Sequence, residues 1–192
     1  MAKRILVDAD GVCLNWEYAF HVWLDHHGHD PVVMDQGLFA RVADQYGLEN
    51  DKVIRLVKNF NESAAIGFLP PLRDAMQYIM QMHEEGFIFH AITSVSDDEN
   101  VKRLRTQNLN KLFGDETFEH VECLPIGSSK KDYLQQFAGT GYYWIEDNVQ
   151  NAEDGLEIGL KPLLMEHGYN MNYTNTHIPL VKNWKQIYEL LT

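Results

Sequence analysis

Short apolar runs alternate with helical patterns through the second half of this 192-residue chain, and this alternation constrains the fold most strongly. Parallel strands need a crossover connection, usually a helix, so such an alternation is typical of a parallel sheet with helices on its faces. Another apolar run, 3–7, lies at the start of the chain. The later runs are 87–92, 120–125, 142–147 and 161–165. The sequence therefore predicts an α/β fold: a Rossmann-like, three-layer core built on a parallel sheet.

The segment between the first apolar run and residue 87 has helical periodicity instead. Apolar residues such as Trp16, Phe20 and Leu24 recur at the spacing of one helix face, and Pro70–Pro71 interrupts the helical stretch. We therefore expect a small helical cap, residues 15–71, inserted after the first strand. The α/β core would then consist of residues 1–14 and 72–192.

Composition excludes several classes of partner. The net charge of −12, from 16 Lys and Arg against 28 Asp and Glu, disfavours binding to nucleic acid polymers or anionic membranes. Cys13 and Cys123 offer neither a disulfide framework nor the spacing of a metal site. We expect a cytoplasmic protein, and the sequence leaves the oligomeric state open.

Polar side chains follow four of the predicted strands. Since ligands of open parallel sheets bind beyond the carboxyl ends of the strands, we expect these side chains to meet at one edge. They are Asp8 and Asp10, then Thr93 and Ser94, then Ser128, Ser129, Lys130 and Lys131, and finally Glu146 and Asp147.

This combination of residues suits phosphoryl transfer. Carboxylates held close together repel one another, and burial adds to the cost, so a cation is needed to offset them. Carboxylates from two strand ends form the hard oxygen site that Mg²⁺ prefers. A hydroxyl, backbone N–H groups and a lysine can hold phosphoryl oxygens, while one aspartate attacks phosphorus and the other transfers protons.

Four motifs in this order resemble those of the haloacid dehalogenase superfamily of phosphohydrolases. DADGV at residues 8–12 matches the first motif, and HAITS at 90–94 matches the second, a strand that ends in Thr or Ser. The lysine before DYLQQF matches the third. WIEDN at 144–148, with the following small-residue helix, matches the fourth. The motifs cover nearly the whole expected core.

The resemblance implies catalytic roles for the first aspartate pair. Asp8 would be the nucleophile and a Mg²⁺ ligand. Asp10 would be the general acid and base, and its backbone carbonyl would also bind the metal. Relatives that cleave carbon–halogen or phosphonate bonds lack a carboxylate at the second position, so Asp10 favours phosphate ester hydrolysis.

The resemblance also implies the binding residues. Thr93 would bind the phosphoryl group, assisted by the backbone at Ser94 and Ala9. Asp147 would complete the metal site, and Glu146 would bind the metal directly or through water.

Two assignments stay open in the sequence. Lys130 and Lys131 are adjacent, and only one of them should face the site; the family's spacing to a helix leucine, here Leu134, favours Lys130. The fourth motif has Glu146 where many relatives have aspartate or glycine, a form also found in sugar-phosphate mutases.

The substrate is less constrained. DADGVCLNWEYAF and the tail MEHGYNMNY resemble the 5′(3′)-deoxyribonucleotidases and small phage and bacterial members of the superfamily. Aromatic residues of the cap could face a nucleobase, although for any single ring packing between the cap helices is the favoured explanation. They are Trp16, Phe20, Phe39, Phe60 and Phe68.

Three hypotheses follow from these patterns. The first is a Mg²⁺-dependent phosphomonoesterase acting on a small metabolite such as a deoxynucleoside monophosphate or a sugar phosphate. The second is a phosphomutase of the same superfamily. The third is a module that binds a phosphorylated ligand without catalysis.

Overall fold

A computed structural model describes residues 3–32 and 42–192 of the chain. Its centre is a six-stranded, entirely parallel sheet in the order β3-β2-β1-β4-β5-β6, and the predicted α/β fold is confirmed. The strands are β1 (Lys3–Val7), β2 (Phe87–Ser94), β3 (Phe118–Leu124), β4 (Tyr143–Glu146), β5 (Lys161–Met165) and β6 (Leu180–Val181).

Helices cover both faces of this sheet. The helices of the described residues are α1 (Trp16–His26), α2 (Val42–Tyr46), α3 (Asn50–Asn61), α4 (Ala75–Glu84), α5 (Glu99–Phe113), α6 (Lys131–Leu134), α7 (Val149–Glu157) and α8 (Trp184–Leu191). Short 3-10 turns lie at Ala64–Phe68 and Gln135–Phe137. Within the described ranges, none of the helices is long and apolar enough to cross a membrane.

Strand β1 lies in the middle of the sheet and is buried on both faces. Because successive side chains point to opposite faces, Ile5 and Val7 pack in one apolar layer, which includes Trp184 of α8. Leu6 packs in the other layer, with Trp144 of β4. This arrangement explains why the first run is apolar at consecutive positions and does not alternate.

The position of β1 decides where the site forms. It pairs with β2 on one side and β4 on the other, with Val7 opposite both Ala91 and Ile145. The order of strands in the chain therefore changes direction around β1, which leaves a crevice at the carboxyl ends. Residues at the carboxyl ends of β1, β2 and β4 line that crevice, among them Asp8, Thr93 and Asp147.

Helices α1 to α3 and the first 3-10 turn lie between β1 and α4. The chain leaves and re-enters the core side by side: the Asn15 N–H donates to the Pro70 carbonyl over 2.9 Å, and the Leu72 N–H donates to the Cys13 carbonyl over 2.8 Å. Phe20 and Phe60 are fully buried in this segment. The division into core and cap stays a prediction, and Phe39 lies outside the described residues.

Several element bounds differ from the sequence-based expectation. Strand β2 extends through Thr93 and Ser94, because both residues pair with β3. Between β3 and β4 the chain forms only the short α6, followed by a 3-10 turn. Strand β6 was not predicted: two residues are too few for a periodic signal, and the strand exists through its pairing with β5.

Replacing Gly155 with alanine tests the packing of α7 on β4. In an unobstructed helix position the change would be stabilising, because alanine forms helices better than glycine by about 1 kcal/mol. At Gly155 the added Cβ would lie 2.6 Å from Cδ1 of Trp144. We therefore expect Gly155→Ala to lower the free energy of unfolding by about 1–3 kcal/mol, as measured by urea denaturation.

The same substitution in a Trp144→Val background is the control. Without the indole ring the new Cβ has room, so the additional cost of Gly155→Ala should disappear in the double-mutant cycle. A Gly155→Ala protein that is more stable than the unsubstituted protein would show that α7 and Trp144 are not in close contact.

Candidate active site

Asp8 directly follows β1 and is almost completely buried. Its N–H continues the sheet by donating to the Ile145 carbonyl over 2.8 Å. Oδ1 of Asp8 accepts the Ala9 N–H over 2.6 Å, and Oδ2 lies 2.7 Å from Nζ of Lys130. Burial raises the pKa of Asp8 to about 7, although the charge of Lys130 partly offsets this effect. The Ala9 N–H, predicted to bind phosphate, thus contacts the Asp8 carboxylate in this structure.

Lys130 connects two carboxylates from neighbouring strands. Its Nζ lies 2.7 Å from Oδ2 of Asp8 and 2.9 Å from Oε2 of Glu146, and the residue is 2% exposed. Burial alone would lower the pKa of the ammonium, but the charges of Asp8 and Glu146 raise it above its ordinary value. Lys130 is therefore a permanent cation at the centre of the site.

Lys131 points elsewhere. Its Nζ lies 2.7 Å from Oε2 of Glu157 and 3.5 Å from Oδ1 of Asp154, and its side chain is 40% exposed. The structure thus brings only Lys130 of the adjacent pair into contact with the Asp8 carboxylate.

Glu146 has hydrogen-bond partners at both of its carboxylate oxygens. Oε1 accepts the N–H groups of Asp147 and Asn148, over 3.1 and 3.0 Å. Oε2 accepts from Lys130 and, over 3.4 Å, from the Asn151 side chain. Burial raises the pKa of this fully enclosed carboxyl group. Direct metal binding by Glu146 would compete with these bonds, so its contacts suit a group that positions Lys130.

Asp147 completes a cluster of oxygen donors. Carboxylate oxygens of Asp8, Glu146 and Asp147 all lie within 4.8 Å of one another. Burial, followed by the charge of Asp8, raises the pKa of Asp147 to about 6. Carboxylates crowded in this way resist ionisation unless a cation offsets their repulsion. Carboxylate oxygens are the hard donors that Mg²⁺ prefers. The Asp147 carboxylate also accepts a hydrogen bond from the Tyr169 hydroxyl.

Gly11 explains why the first motif needs glycine after its second aspartate. Its φ of +75° lies in the left-handed region, and a Cβ at this position would collide with the Asp147 carboxylate. Glycine thus lets the first strand's loop approach the residue that follows β4.

Asp10 turns towards α5. Its Oδ2 accepts from Nη2 of Arg105 over 2.9 Å and from the Thr93 hydroxyl over 3.4 Å. Burial raises the pKa of Asp10 to about 6, while the Arg105 charge acts in the opposite direction. Thr93 is buried at the end of β2, and the next hydroxyl, Ser94, donates to the Ser128 carbonyl over 3.1 Å.

The sequence analysis assigned no role at the site to three residues that lie there: Arg105, His167 and Tyr169. Arg105 lies on the buried stripe of α5 with Val101 and Leu109, and a charged residue in such a stripe could have indicated a buried anionic partner. His167 and Tyr169 were seen only as part of a tail motif. Their rings stack in parallel at 5.3 Å, and Nε2 of His167 lies 2.7 Å from the Gly11 carbonyl oxygen.

Two cavities meet at this site. The smaller, about 260 Å³, is lined by the predicted catalytic side chains, including Asp8, Thr93 and Lys130. The larger, about 840 Å³, extends from it between α1 and the segment that follows β5. Asp10, Asp147 and Tyr169 line both. The structure therefore brings the predicted residues together beside a space large enough for a small organic molecule.

Comparison with known proteins gives one curated relative and many similar structures. No protein-family model matches the chain. An Enterobacteria phage T4 protein, described as an uncharacterized 32.4 kDa protein in the Gp30-rIII intergenic region, is 26% identical over 184 residues. The match covers 92% of this chain and 65% of the phage protein, so the chain spans less than two thirds of the length of that relative.

Solved structures match over nearly the whole chain. A haloacid dehalogenase-like hydrolase from Streptococcus pneumoniae superposes with a TM-score of 0.64 at 13% identity, covering 100% of this chain and 99% of the other. The D,D-heptose 1,7-bisphosphate phosphatase of B. bronchiseptica, complexed with magnesium and phosphate, gives 0.59 at 12% identity, covering 98% and 97%. Identities this low establish the architecture alone: the chain has the haloacid dehalogenase fold that its four motifs predict.

Proposed function

We propose that this protein is a Mg²⁺-dependent phosphomonoester hydrolase that works through an aspartyl-phosphate on Asp8. The observation that carries the proposal is the contact of Lys130 with the buried Asp8 carboxylate, beside a cavity that Asp10 also lines. A nucleophile, a proton carrier and a fixed cation within one cavity are the groups that phosphoryl transfer needs.

The chain's own residues account for both half-reactions. A carboxylate oxygen of Asp8 bonds to phosphorus while the bond to the leaving oxygen breaks, and Asp10 supplies that oxygen with a proton. Asp10 then takes a proton from water, whose oxygen bonds to phosphorus and releases the Asp8 carboxylate. Thr93, the Ser94 backbone and the Lys130 ammonium hold the phosphoryl oxygens and stabilise the charge that develops on them.

Asp8, Asp147 and the backbone carbonyl of Asp10 would hold the Mg²⁺ ion, with Glu146 in its outer sphere. When bound, the ion would neutralise negative charge on the carboxylates and on the phosphoryl group.

The larger cavity supports a nucleoside monophosphate as the substrate class. Trp16 lines one side of this space, and His167 and Tyr169 line another. Aromatic surfaces of this kind suit a flat nucleobase, with stacking worth about 1–3 kcal/mol per base. A sugar-phosphate phosphatase would use the same catalytic groups but gain little from the aromatic surface.

The first prediction concerns the nucleophile and the metal. We expect phosphate release from a panel of nucleoside monophosphates and sugar phosphates in Mg²⁺, and none in EDTA. Asp8→Asn should abolish turnover and keep the circular dichroism spectrum, because an amide cannot attack phosphorus. Asp25→Asn, at an exposed position of α1, is the matched control and should change activity less than about twofold.

Other outcomes separate the alternatives. A clearly active Asp8→Asn protein would refute the mechanism. Phosphate transfer only when a second hydroxyl compound is added would identify a mutase. Thermal stabilisation by a phosphate compound, without release of phosphate from any substrate, would identify a binding module.

The two adjacent lysines give the second prediction for this site. Lys130→Gln should reduce kcat by about 10²–10³-fold, as removal of a transition-state hydrogen-bond donor does. It should also lower the free energy of unfolding by about 3–5 kcal/mol, because Asp8 and Glu146 lose their buried counter-charge. Lys131→Gln removes a largely solvated ammonium whose partners, Glu157 and Asp154, lie away from Asp8, so it should leave kcat nearly unchanged and lower the free energy of unfolding far less than Lys130→Gln. A large loss of kcat in Lys131→Gln, with little loss in Lys130→Gln, would assign the phosphate contact to Lys131.

Substitution in the larger cavity tests the substrate class. Trp16→Ala should reduce kcat/KM for nucleoside monophosphates about tenfold, the value of one lost stacking contact. The same variant should hydrolyse glycerol 3-phosphate, which has no ring, almost normally. Tyr18→Ala is the control, since Tyr18 lies on the same helix and is 60% exposed. An equal loss for both substrates would count against base recognition by Trp16.

A further inference from the structure

Arg105 is a charged side chain inside the apolar stripe of α5. Val101 and Leu109, one turn away on either side, are core residues, and Arg105 itself is 0% exposed. Burying a guanidinium costs free energy unless an anion or several hydrogen bonds compensate. Its position therefore indicates a specific partner.

That partner is Asp10. Nη2 of Arg105 donates to Oδ2 of Asp10 over 2.9 Å, whereas Nε and Nη1 of the arginine make no hydrogen bond to any described residue. Thr93 donates to the same oxygen, Oδ2. Oδ1 of Asp10, in contrast, is buried and accepts no hydrogen bond from the described part of the chain. The two oxygens of this carboxyl group are thus in different environments.

This ion pair fixes the orientation of the Asp10 side chain. A guanidinium has donors only, so the oxygen that it contacts must act as an acceptor. The carboxylate cannot turn away without leaving the buried guanidinium unpaired. Asp10 lines both cavities, so it lies where the phosphoryl group and the leaving group of a substrate would meet.

We propose that Arg105 is a positioning residue for Asp10, whose carboxyl group it holds in the orientation that gives and takes the proton. The inference rests on the proposed phosphomonoesterase function. In the first half-reaction, the Asp10 carboxyl group gives its proton to the leaving oxygen as that oxygen separates from phosphorus and Asp8 bonds to phosphorus. In the second, the Asp10 carboxylate takes a proton from water as the water oxygen bonds to phosphorus and the bond from phosphorus to Asp8 breaks. The guanidinium stays charged throughout and pairs with the Asp10 carboxylate.

The test uses two substrates that differ in their need for a proton. The leaving group of glycerol 3-phosphate is an alkoxide, which must be protonated as it departs. The leaving group of p-nitrophenyl phosphate is a nitrophenolate, which is stable without a proton. We expect Arg105→Met to reduce single-turnover cleavage of glycerol 3-phosphate about 10²-fold. Cleavage of p-nitrophenyl phosphate should remain fast for the first turnover only, because proton removal from water is still impaired.

The expected signature is therefore a burst of nitrophenolate close to one equivalent per enzyme, with phosphate retained on the protein, and no burst of glycerol. Arg105→Lys, which keeps the charge, should restore part of the activity on glycerol 3-phosphate. Arg103→Met is the matched control: Arg103 lies on the same helix, is exposed and contacts only Asn100 and Gln107. It should behave like the unsubstituted protein.

A double-mutant cycle keeps the test valid if Arg105→Met alone folds poorly. Asp10→Asn removes the other member of the pair, so the double variant buries no unpaired charge. If Arg105 acts through Asp10, adding Arg105→Met to Asp10→Asn should reduce the remaining activity less than about twofold.

Different results would overturn the inference. Equal losses on both substrates without a burst would mean that Arg105 only supports the fold. A higher KM for both, with weaker inhibition by inorganic phosphate, would make it a phosphate-binding residue. These failures appear only in the variants. If the unsubstituted protein released no phosphate from either substrate, the proposed function would fail, and the inference with it.

Discussion

The ammonium of Lys130 offsets the repulsion between the carboxylates of Asp8 and Glu146, and the rest of the site depends on this interaction. The parallel pairing of β1 with β4 places Asp8 and Glu146 on neighbouring strand ends, and both carboxylates are buried. Two like charges in this position would cost several kcal/mol if neither had a partner. Lys130, at the start of α6, lies within 2.9 Å of both. Its charge makes an ionised Asp8, the proposed nucleophile, compatible with a folded sheet edge.

The same principle accounts for the rest of the site. Four carboxylates face two cations there, so two negative charges remain when all of the groups are ionised, which matches the charge of one divalent ion. The two cations also lie on different sides of β1: Lys130 pairs with Asp8 and Glu146, and Arg105 pairs with Asp10. The groups proposed for metal binding and for proton transfer are thus separated: Asp147 lies beside the first cation, and Asp10 lies beside the second. These groups are Asp8, Asp10, Glu146 and Asp147, with Lys130 and Arg105.

Sequence reasoning could predict the residues that follow strands, because the alternation of strands and helices fixes which chain ends meet. Asp8, Thr93 and Asp147 lie at one edge for that reason alone. It could not predict the partner of Arg105, which depends on how α5 rotates against β3. Nor could it choose firmly between Lys130 and its neighbour, since the short α6 begins in a turn and has no helical register to extrapolate.

Glu146 shows another limit of pattern-based inference. An acidic pair in a fourth motif indicates a metal site, and the three carboxylates do converge. Only the structure reveals that two backbone N–H groups and Lys130 already occupy the Glu146 oxygens. Charge alone cannot distinguish a residue that binds a metal from one that positions a lysine, because both need an ionised carboxylate at the same strand end.

The groups proposed for the chemistry and for the choice of substrate lie in different parts of the chain. The proposed catalytic groups come from the sheet edge and from the start of α6, and the positioning residue Arg105 comes from α5. The larger cavity is bounded by α1 and by the segment after β5, which contribute Trp16, His167 and Tyr169. Changes in that lining can alter the leaving group that fits without disturbing the balance of charges that makes transfer possible. Backbone hydrogen bonds from Asn15 to Pro70 and from Leu72 to Cys13 join the two ends of the segment that contains α1. A motion of α1 relative to the sheet would therefore have to bend the chain at these bonds.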